Sequence, residues 1–424
     1  MRYSFLDLLA SPDTHAPFVL VGAVEEAIPY LGPYGGPASR VSSGLDAVGP
    51  ASMGEVGAFY REHLARHAGA PADPARDKFM VVTDGLLVST DTGMWYPIVD
   101  TIPEILPPSL RDWANHRAFL DQVIAPRLPP GLVEALRGAI DRVDTGARQG
   151  DGYKSSEISL LDKVEDKEEF LGPGLVSPFN PFIYDHPAAL VRGFGNCLPF
   201  LQLRHGARVL DSGSGYGWTT EWLMKLGIDA VGIDISRVYP DTGRRRMGPN
   251  NQPHLVVGDA ENLPFAAGVF DAVLGFDAFH HIPNRPTAMR QYARVLRENG
   301  RVVLLEPGED HAAAEVSVQV MDTYGIMEVG MTLADVQGYV DGIETFGPAR
   351  QVFLRPHYSD DPRESVPTAE LRDGSFTGWG LFVIEKDVSV RERPMAPPTP
   401  AVEPAPPQPA AGLGRLVDRI FGKS

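Results

Sequence analysis

The chain has 424 residues, 43% apolar and 22% charged, with a formal net charge of −17 and one cysteine, Cys197. That composition suits a globular protein of two domains, or one large domain with attachments. The acidic balance repels phosphate backbones, so nucleic acid is a disfavoured partner, and one cysteine excludes an internal disulfide framework. Asp7 and Asp13 interrupt any apolar run before Phe18, unlike a signal peptide, and no apolar stretch approaches the ~18 residues that span a bilayer. The expected compartment is the cytoplasm.

Residues 1–110 are rich in Gly and Pro, with short β-like runs FVLVGA, FMVV, GLLVST and WYPIVD and an intervening helical segment, GEVGAFYREHLARHAG. Two polar knuckles, Ser11-Pro-Asp-Thr14 and Ser89-Thr-Asp-Thr92, each follow a Leu-Leu pair. Their outline is that of paired zinc-ribbon knuckles, but hydroxyls stand where thiolates would hold the metal, and neutral hydroxyls are poor zinc ligands. These hydroxyls are expected to accept from nearby backbone N–H groups, as in ST-turns. Residues 111–169 turn to helical spacing, as in LRDWANHRAFLDQVI and PGLVEALRGAIDRV. The charged stretch ARQGDGYKSSEISLLDKVEDKEEF then reads as a domain boundary.

From about residue 170 the pattern alternates strands with helices. ARVLDSG, DAVGIDIS, HLVVGDA, FDAVLGF and GRVVLLEPG read as five strands, with GWTTEWLMKLG and NRPTAMRQYARVLRENG among the helices. RQVFLRPH and GWGLFVIEK supply two more strands and close a domain at 170–390. Apolar strands alternating with amphipathic helices predict a parallel sheet covered on both faces. The Pro/Ala segment 391–411 reads as an extended linker. In 412–424, Leu413, Leu416, Val417, Ile420 and Phe421 form one apolar helical stripe. So short a helix needs a surface, and a partner protein is the first candidate; its basic residues make a membrane surface the second. Arg244-Arg-Arg246 reads as a solvated loop rather than a phosphate grip.

The segment VLDSGSGYGW puts Asp211, Gly213, Ser214, Gly215 and Gly217 between a strand and a helix. Glycines there allow a tight turn and close approach of a ligand to helix N–H groups. Asp234 ends the next strand, where a carboxylate can accept both hydroxyls of a ribose. Asp259 ends the third, placed to accept from an exocyclic amine or, alternatively, to cap a helix. GFDAFHHIPN brings Phe276, Asp277, His280 and His281 to the same C-terminal edge, where open α/β sheets bind ligands.

This ordered set resembles the class I S-adenosylmethionine-dependent methyltransferases, and in particular the methyltransferase type 11 group, over about residues 170–386. The glycine segment does not fit the G-x-G-x-x-G of dinucleotide enzymes, and RENGR replaces the family's usual Pro-Gly-Gly turn. The resemblance implies an α/β fold: a Rossmann-like seven-stranded sheet, preceded by a small, mainly β N-terminal domain and followed by a C-terminal tail. It further implies that Asp211, Gly213, Gly215 and Gly217 wrap the methionine part of S-adenosyl-L-methionine. Asp234 would hold the ribose and Asp259 with Ala260 the adenine, and Ser214, Ile235 and Phe276 complete the cofactor-binding set. FLDLLASPDT and GLLVSTDTGMWYPIVDTIPEILPP resemble the two halves of the zinc-ribbon-derived domain of the tRNA methyltransferase activator type, here separated by an insertion at about 24–77. With Ser11, Thr14, Ser89 and Thr92 at the cysteine positions, the fold is expected to be kept and the metal lost.

Methyl transfer to oxygen needs a proton removed, a task suited to an imidazole. His281 and His280 are the candidates, each with the alternative of simply packing the loop, and Glu306 could orient the base or the acceptor. No metal is expected. The favoured activity is O-methylation of a small-molecule or glycan-type acceptor. Carbon methylation of a quinone, RNA methylation and a non-catalytic, cofactor-binding scaffold are the alternatives.

Overall fold

The computed structural model describes residues 1–27, 80–141, 143, 145–179, 185–204, 206–247, 254–352 and 379–386. All but the first residues of the expected insertion, the 391–411 linker and the 412–424 helix lie outside the described residues.

Strands β1 (Phe18–Ala27), β2 (Met80–Ser89), β3 (Trp95–Val99) and β4 (Ile102–Ile105) pair antiparallel in succession. Met80–Val82 of the run FMVV and Gly85–Ser89 of the run GLLVST, read as separate runs, belong to the single strand β2. The seven strands expected further on are β5 (Arg208–Ser212), β6 (Asp229–Asp234), β7 (His254–Gly258), β8 (Phe270–Phe276), β9 (Leu296–Glu306), β10 (Arg350–Val352) and β11 (Gly380–Glu385). They follow the order β7-β6-β5-β8-β9-β11-β10, parallel from β7 to β9 and antiparallel beyond. The N-terminal strands are not a detached sheet. β4 lies parallel to β7, with Glu104 opposite Val257, and the result is one sheet of eleven strands.

Side chains alternate across a strand, and the sheet sorts them accordingly. Leu210, Val231, Val256, Val273 and Leu304 face a core shared with Phe5, Leu8, Phe18, Leu87 and Tyr96 of the N-terminal region. Val209, Ala230, Ala272, Leu274 and Val303 face the opposite side, where Phe194 of helix Asp185–Leu201 and Trp218 of helix Trp218–Lys225 cover them. Phe5 also stacks on His254 of β7, ring centroids 4.4 Å apart. Arg111 lies over Trp113 at 4.1 Å and Tyr96 at 4.8 Å, and its guanidinium donates to the Trp95 carbonyl at 2.8 Å.

Two local expectations, the length of one helix and the setting of two arginines, need correction, and one stretch gains elements. The helix read as NRPTAMRQYARVLRENG spans only Arg285–Val295, because Leu296 turns extended and its buried side chain starts β9 opposite Phe270. The stretch read as a domain boundary holds the helix Asp151–Ile158 and the start of the helix Lys167–Val176. Arg244 and Arg246 are not in a solvated loop: they sit on helix Val238–Met247, where Arg244 pairs with Asp100 and Arg246 with Glu221 at 3.1 Å.

At the knuckles, Thr14 Oγ1 accepts from the Ala16 amide and Thr92 Oγ1 from the Met94 amide, as expected. Ser89 instead donates its hydroxyl to Asp91. Among the described residues no helix is long and apolar enough to cross a membrane.

Because the N-terminal strands and the parallel strands share one core, Phe5→Ala should destabilise both together. The expected loss is about 3–5 kcal/mol, in a single urea transition followed by circular dichroism and tryptophan fluorescence. Two transitions, with only one shifted, would mean that the N-terminal strands fold separately.

Candidate active site

The chain leaves β5 and β8 toward opposite faces of the sheet, and at such a reversal the strand ends leave a crevice. Here the crevice opens into a cavity of about 660 Å³, a size common among small-molecule sites. Its walls include Gly213, Gly215, Asp234, Asp259, Asp277 and His281.

The glycine segment is pinned from below. The Gly213 and Ser214 amides donate to the Ile233 carbonyl at 2.9 and 3.0 Å, and the Gly215 amide donates to Asp234 Oδ2 at 2.9 Å. Gly213 has φ +73°, and a Cβ there would lie 2.4 Å from that of Ala278. Gly215, φ +50°, faces open space on its Cβ side. The segment thus leaves room for a ligand against its backbone.

Asp234 also accepts from the Ser236 amide at 3.0 Å. Burial pushes its carboxyl up to about 6, against the pull of these backbone bonds. Ile235 and Ala260 line the same wall.

Four expected cofactor residues sit elsewhere. Asp211 is buried beneath the loop, where its Oδ2 accepts from Thr219 and Thr220 hydroxyls at 2.5 and 2.6 Å and so anchors the following helix. Ser214 is buried among packed atoms. Gly217, φ +68°, precedes helix Trp218–Lys225 and is packed by Leu255 and Met247. Phe276 packs edge-on against Trp218 at 5.4 Å, in the core beneath β8 rather than in the cavity wall.

Asp259 lines the cavity but is largely spoken for by the protein. Oδ1 accepts from the Glu261 amide, which caps the turn Ala260–Asn262, and Oδ2 accepts from Lys154 at 2.8 Å and Asn262 at 2.8 Å. A carboxylate has about four lone-pair sites, so the capping alternative describes most of its bonding.

The expected catalytic groups also separate. Glu306 is fully buried and accepts from the Phe279 and His280 amides and from His280 Nδ1 at 2.7 Å; it does not line the cavity. His280 is buried too, with Nε2 3.3 Å from Glu328. Burial would lower its pKa, but the bonds to Glu306 and Glu328 outweigh it and raise it to about 10. Held between two carboxylates, His280 is not a free base, and neither it nor Glu306 can reach a ligand as expected. His281 does line the cavity. Its Nδ1 donates to the Met327 carbonyl at 2.7 Å, which fixes the tautomer with the lone pair on Nε2.

Sequence reading missed the helix Asp151–Ile158, which brings Lys154 and Glu157 into the cavity wall. Lys154 bridges Asp259 and Glu261 at 2.8 and 2.7 Å, all three side chains buried. Burial, reinforced by the charges of Asp234 and Glu328, pushes Glu157 up to about 8. The only sequence signal was helical spacing within a charged run, which looks the same as a solvated face. Glu328, likewise missed, also lines the wall; bonds from His280 and His311 overcome burial and hold its carboxyl well below the ordinary range.

Lys154→Met would leave Asp259 and Glu261 buried without a counter-charge. Removing one partner of such a pair costs about 3–5 kcal/mol, expected in urea denaturation at pH 7.5. The deficit should shrink at pH 5.5 as Glu261, whose carboxyl burial already raises, takes up a proton; equal stability to the parent protein at both pH values would contradict the bridge.

Residues 210–304 match the methyltransferase domain family. Among curated proteins the chain is similar to the methyltransferase GfsG of Streptomyces halstedii, 28% identical over 35% of this chain and 54% of that protein. It is also similar to the sarcosine/dimethylglycine N-methyltransferase of Halorhodospira halochloris, 31% identical over 30% of this chain and 48% of that one. The O-methyltransferase cnsE of Penicillium expansum is 32% identical over 27% of this chain and 42% of its own length. The chain thus spans about half the length of these relatives. The cavity is built largely on the matched region, and this likeness to methyltransferases supports S-adenosyl-L-methionine as the cofactor.

Proposed function

We propose that the protein transfers a methyl group from S-adenosyl-L-methionine to an oxygen of a small-molecule or glycan-type acceptor. The observation that carries this is the joint lining of one cavity by the Gly213–Gly215 loop, Asp234 and His281. The open Cβ side of Gly215 and the carboxylate of Asp234 beside it suit the amino-acid and ribose parts of the cofactor. Ile235 and Ala260 offer apolar wall for the base, and Asp259 has one lone-pair site left for its amine. Bound there, the cofactor supplies an electrophilic methyl group.

Burial, with the charge of His280, pushes His281 down to about 3, so the ring is neutral. Its free Nε2 lone pair can accept the acceptor's proton as that oxygen gains the methyl group, while the Met327 carbonyl holds the ring in place. Leu160, Val164, Phe170, Val320 and Ile326 provide apolar wall that excludes water. Acidic lining dominates the polar remainder, with Glu165, Asp166, Glu169 and Glu328 carrying the charge. That field disfavours phosphorylated or carboxylated acceptors and, with the overall charge, RNA. An uncharged polyol or a cationic molecule suits it.

Calorimetric titration of S-adenosyl-L-methionine and S-adenosylhomocysteine is the direct test, with Asp234→Ala expected to abolish binding. Asp234 must be ionised to accept both ribose hydroxyls. As pH falls through about 6 the carboxyl protonates, so Kd should be flat above about pH 7 and rise about tenfold per unit well below 6. A folded protein that binds neither compound would overturn the reading, and a flat profile down to pH 5 would remove Asp234 from it.

His281→Ala should leave the cofactor Kd within about twofold and lower single-turnover methyl transfer by about 10²–10⁴-fold. The acceptor for that assay comes from screening hydroxylated compounds for S-adenosylhomocysteine release. Unchanged turnover would mean that another group takes the proton.

A further inference from the structure

Beside the cavity, three loops place His280, His311 and Glu328 around one point. His280 comes from the turn Phe279–His281 after β8, His311 from the turn Glu309–Ala313 after β9, and Glu328 from the segment after helix Glu315–Tyr324. One donor atom from each lies within 4.8 Å of the other two. His311 Nε2 is 2.7 Å and His280 Nε2 3.3 Å from the same Glu328 oxygen. Ligands on a metal at ~2.1 Å stand about 3–3.4 Å apart, so only a small adjustment separates this cluster from a coordination set.

The surroundings resemble the outer shell of a metal site. His280 Nδ1 faces Glu306 at 2.7 Å, and Glu306 is itself held by the Phe279 and His280 amides. A carboxylate behind an imidazole fixes its tautomer and turns the other nitrogen toward the ligand point. His311 meets the His280 ring edge-on at 5.1 Å, and Ser317 Oγ lies 3.5 Å from His311 Nε2. Glu306 and Glu328 are both buried here, so the pocket needs positive charge. A proton on His280 is one source; a divalent cation is the other.

We propose that His280, His311 and Glu328 bind a divalent first-row transition-metal ion. Two imidazoles and one carboxylate favour zinc, cobalt, iron or manganese over calcium or magnesium. Glu328 and Asp277 line the cavity, so the ion lies at the wall of the proposed acceptor chamber. The assignment rests on this cluster alone and does not depend on donor binding. It replaces the sequence-based expectation that no metal is held.

The test uses the full chain, stripped with a chelator and titrated with cobalt(II) alone. The expected result is one equivalent bound, with visible d–d absorption that zinc displaces. His311→Ala and Glu328→Gln should abolish stoichiometric binding, whereas Glu306→Gln should weaken it by about 10–100-fold. Circular dichroism checks that each variant is folded, and S-adenosylhomocysteine calorimetry on the stripped protein reads the donor site separately. A folded wild type that binds no stoichiometric cobalt, or a His311→Ala variant that binds it as tightly, would overturn the site and leave a proton-sharing His–Glu–His triad.

Discussion

The hydrogen bonds that tie the Gly213–Gly215 loop to the end of β6 are the constraint on which the site depends. β5 and β6 are parallel neighbours, so both chains reach the same edge of the sheet, one ending at Ser212 and the other at Asp234. The left-handed loop after β5 would carry unpaired amides there. It settles them on the Ile233 carbonyl and the Asp234 carboxylate. That arrangement holds Asp234 in the cavity wall and exposes the backbone of Gly215 to it. Beneath, Asp211 secures the next helix through Thr219 and Thr220. One carboxylate therefore serves the ligand side of the loop and the other its foundation.

Around this frame the protein concentrates acid where water is scarce. A buried carboxyl either finds a cation, collects hydrogen bonds or holds its proton. Each solution is present. Asp259 and Glu261 share Lys154, Glu306 collects amides and an imidazole, and Glu157 is pushed toward its protonated form. The helix Asp151–Ile158 supplies both Lys154 and Glu157, so a segment preceding the strands β5 to β9 takes part in shaping the cavity at their edge. The N-terminal strands take part more remotely: β4 lies against β7, and Glu104 bonds His116 on one side and Arg237 on the other.

Much of this was legible in the linear chain, and the reasons are local. A strand buried on both faces reads as a continuous apolar run, so β5 to β9 stand out. A glycine segment between a strand and a helix marks a tight turn that a ligand can approach closely. Acidic strand ends at Asp234 and Asp259 then fall at the same edge because the strands run parallel. What was misread depends on direction rather than position. Asp211 and Gly215 are close in sequence, yet one side chain points under the loop while the other residue faces the cavity. His280 and His281 are adjacent; one is clamped between Glu306 and Glu328, and the other lines the wall.

The sequence by itself determined the strand and helix alternation, the glycine turn and the edge of the sheet at which chemistry-bearing side chains collect. Those follow from residue periodicity and from backbone conformations that few residues tolerate. Only the tertiary structure decided that the N-terminal strands extend the same sheet, that a charged stretch near residue 154 closes the cavity, and that His280, His311 and Glu328 converge. Such meetings join residues far apart in the chain, and their partners are chosen by packing and by the cost of burying charge, neither of which leaves a periodic trace.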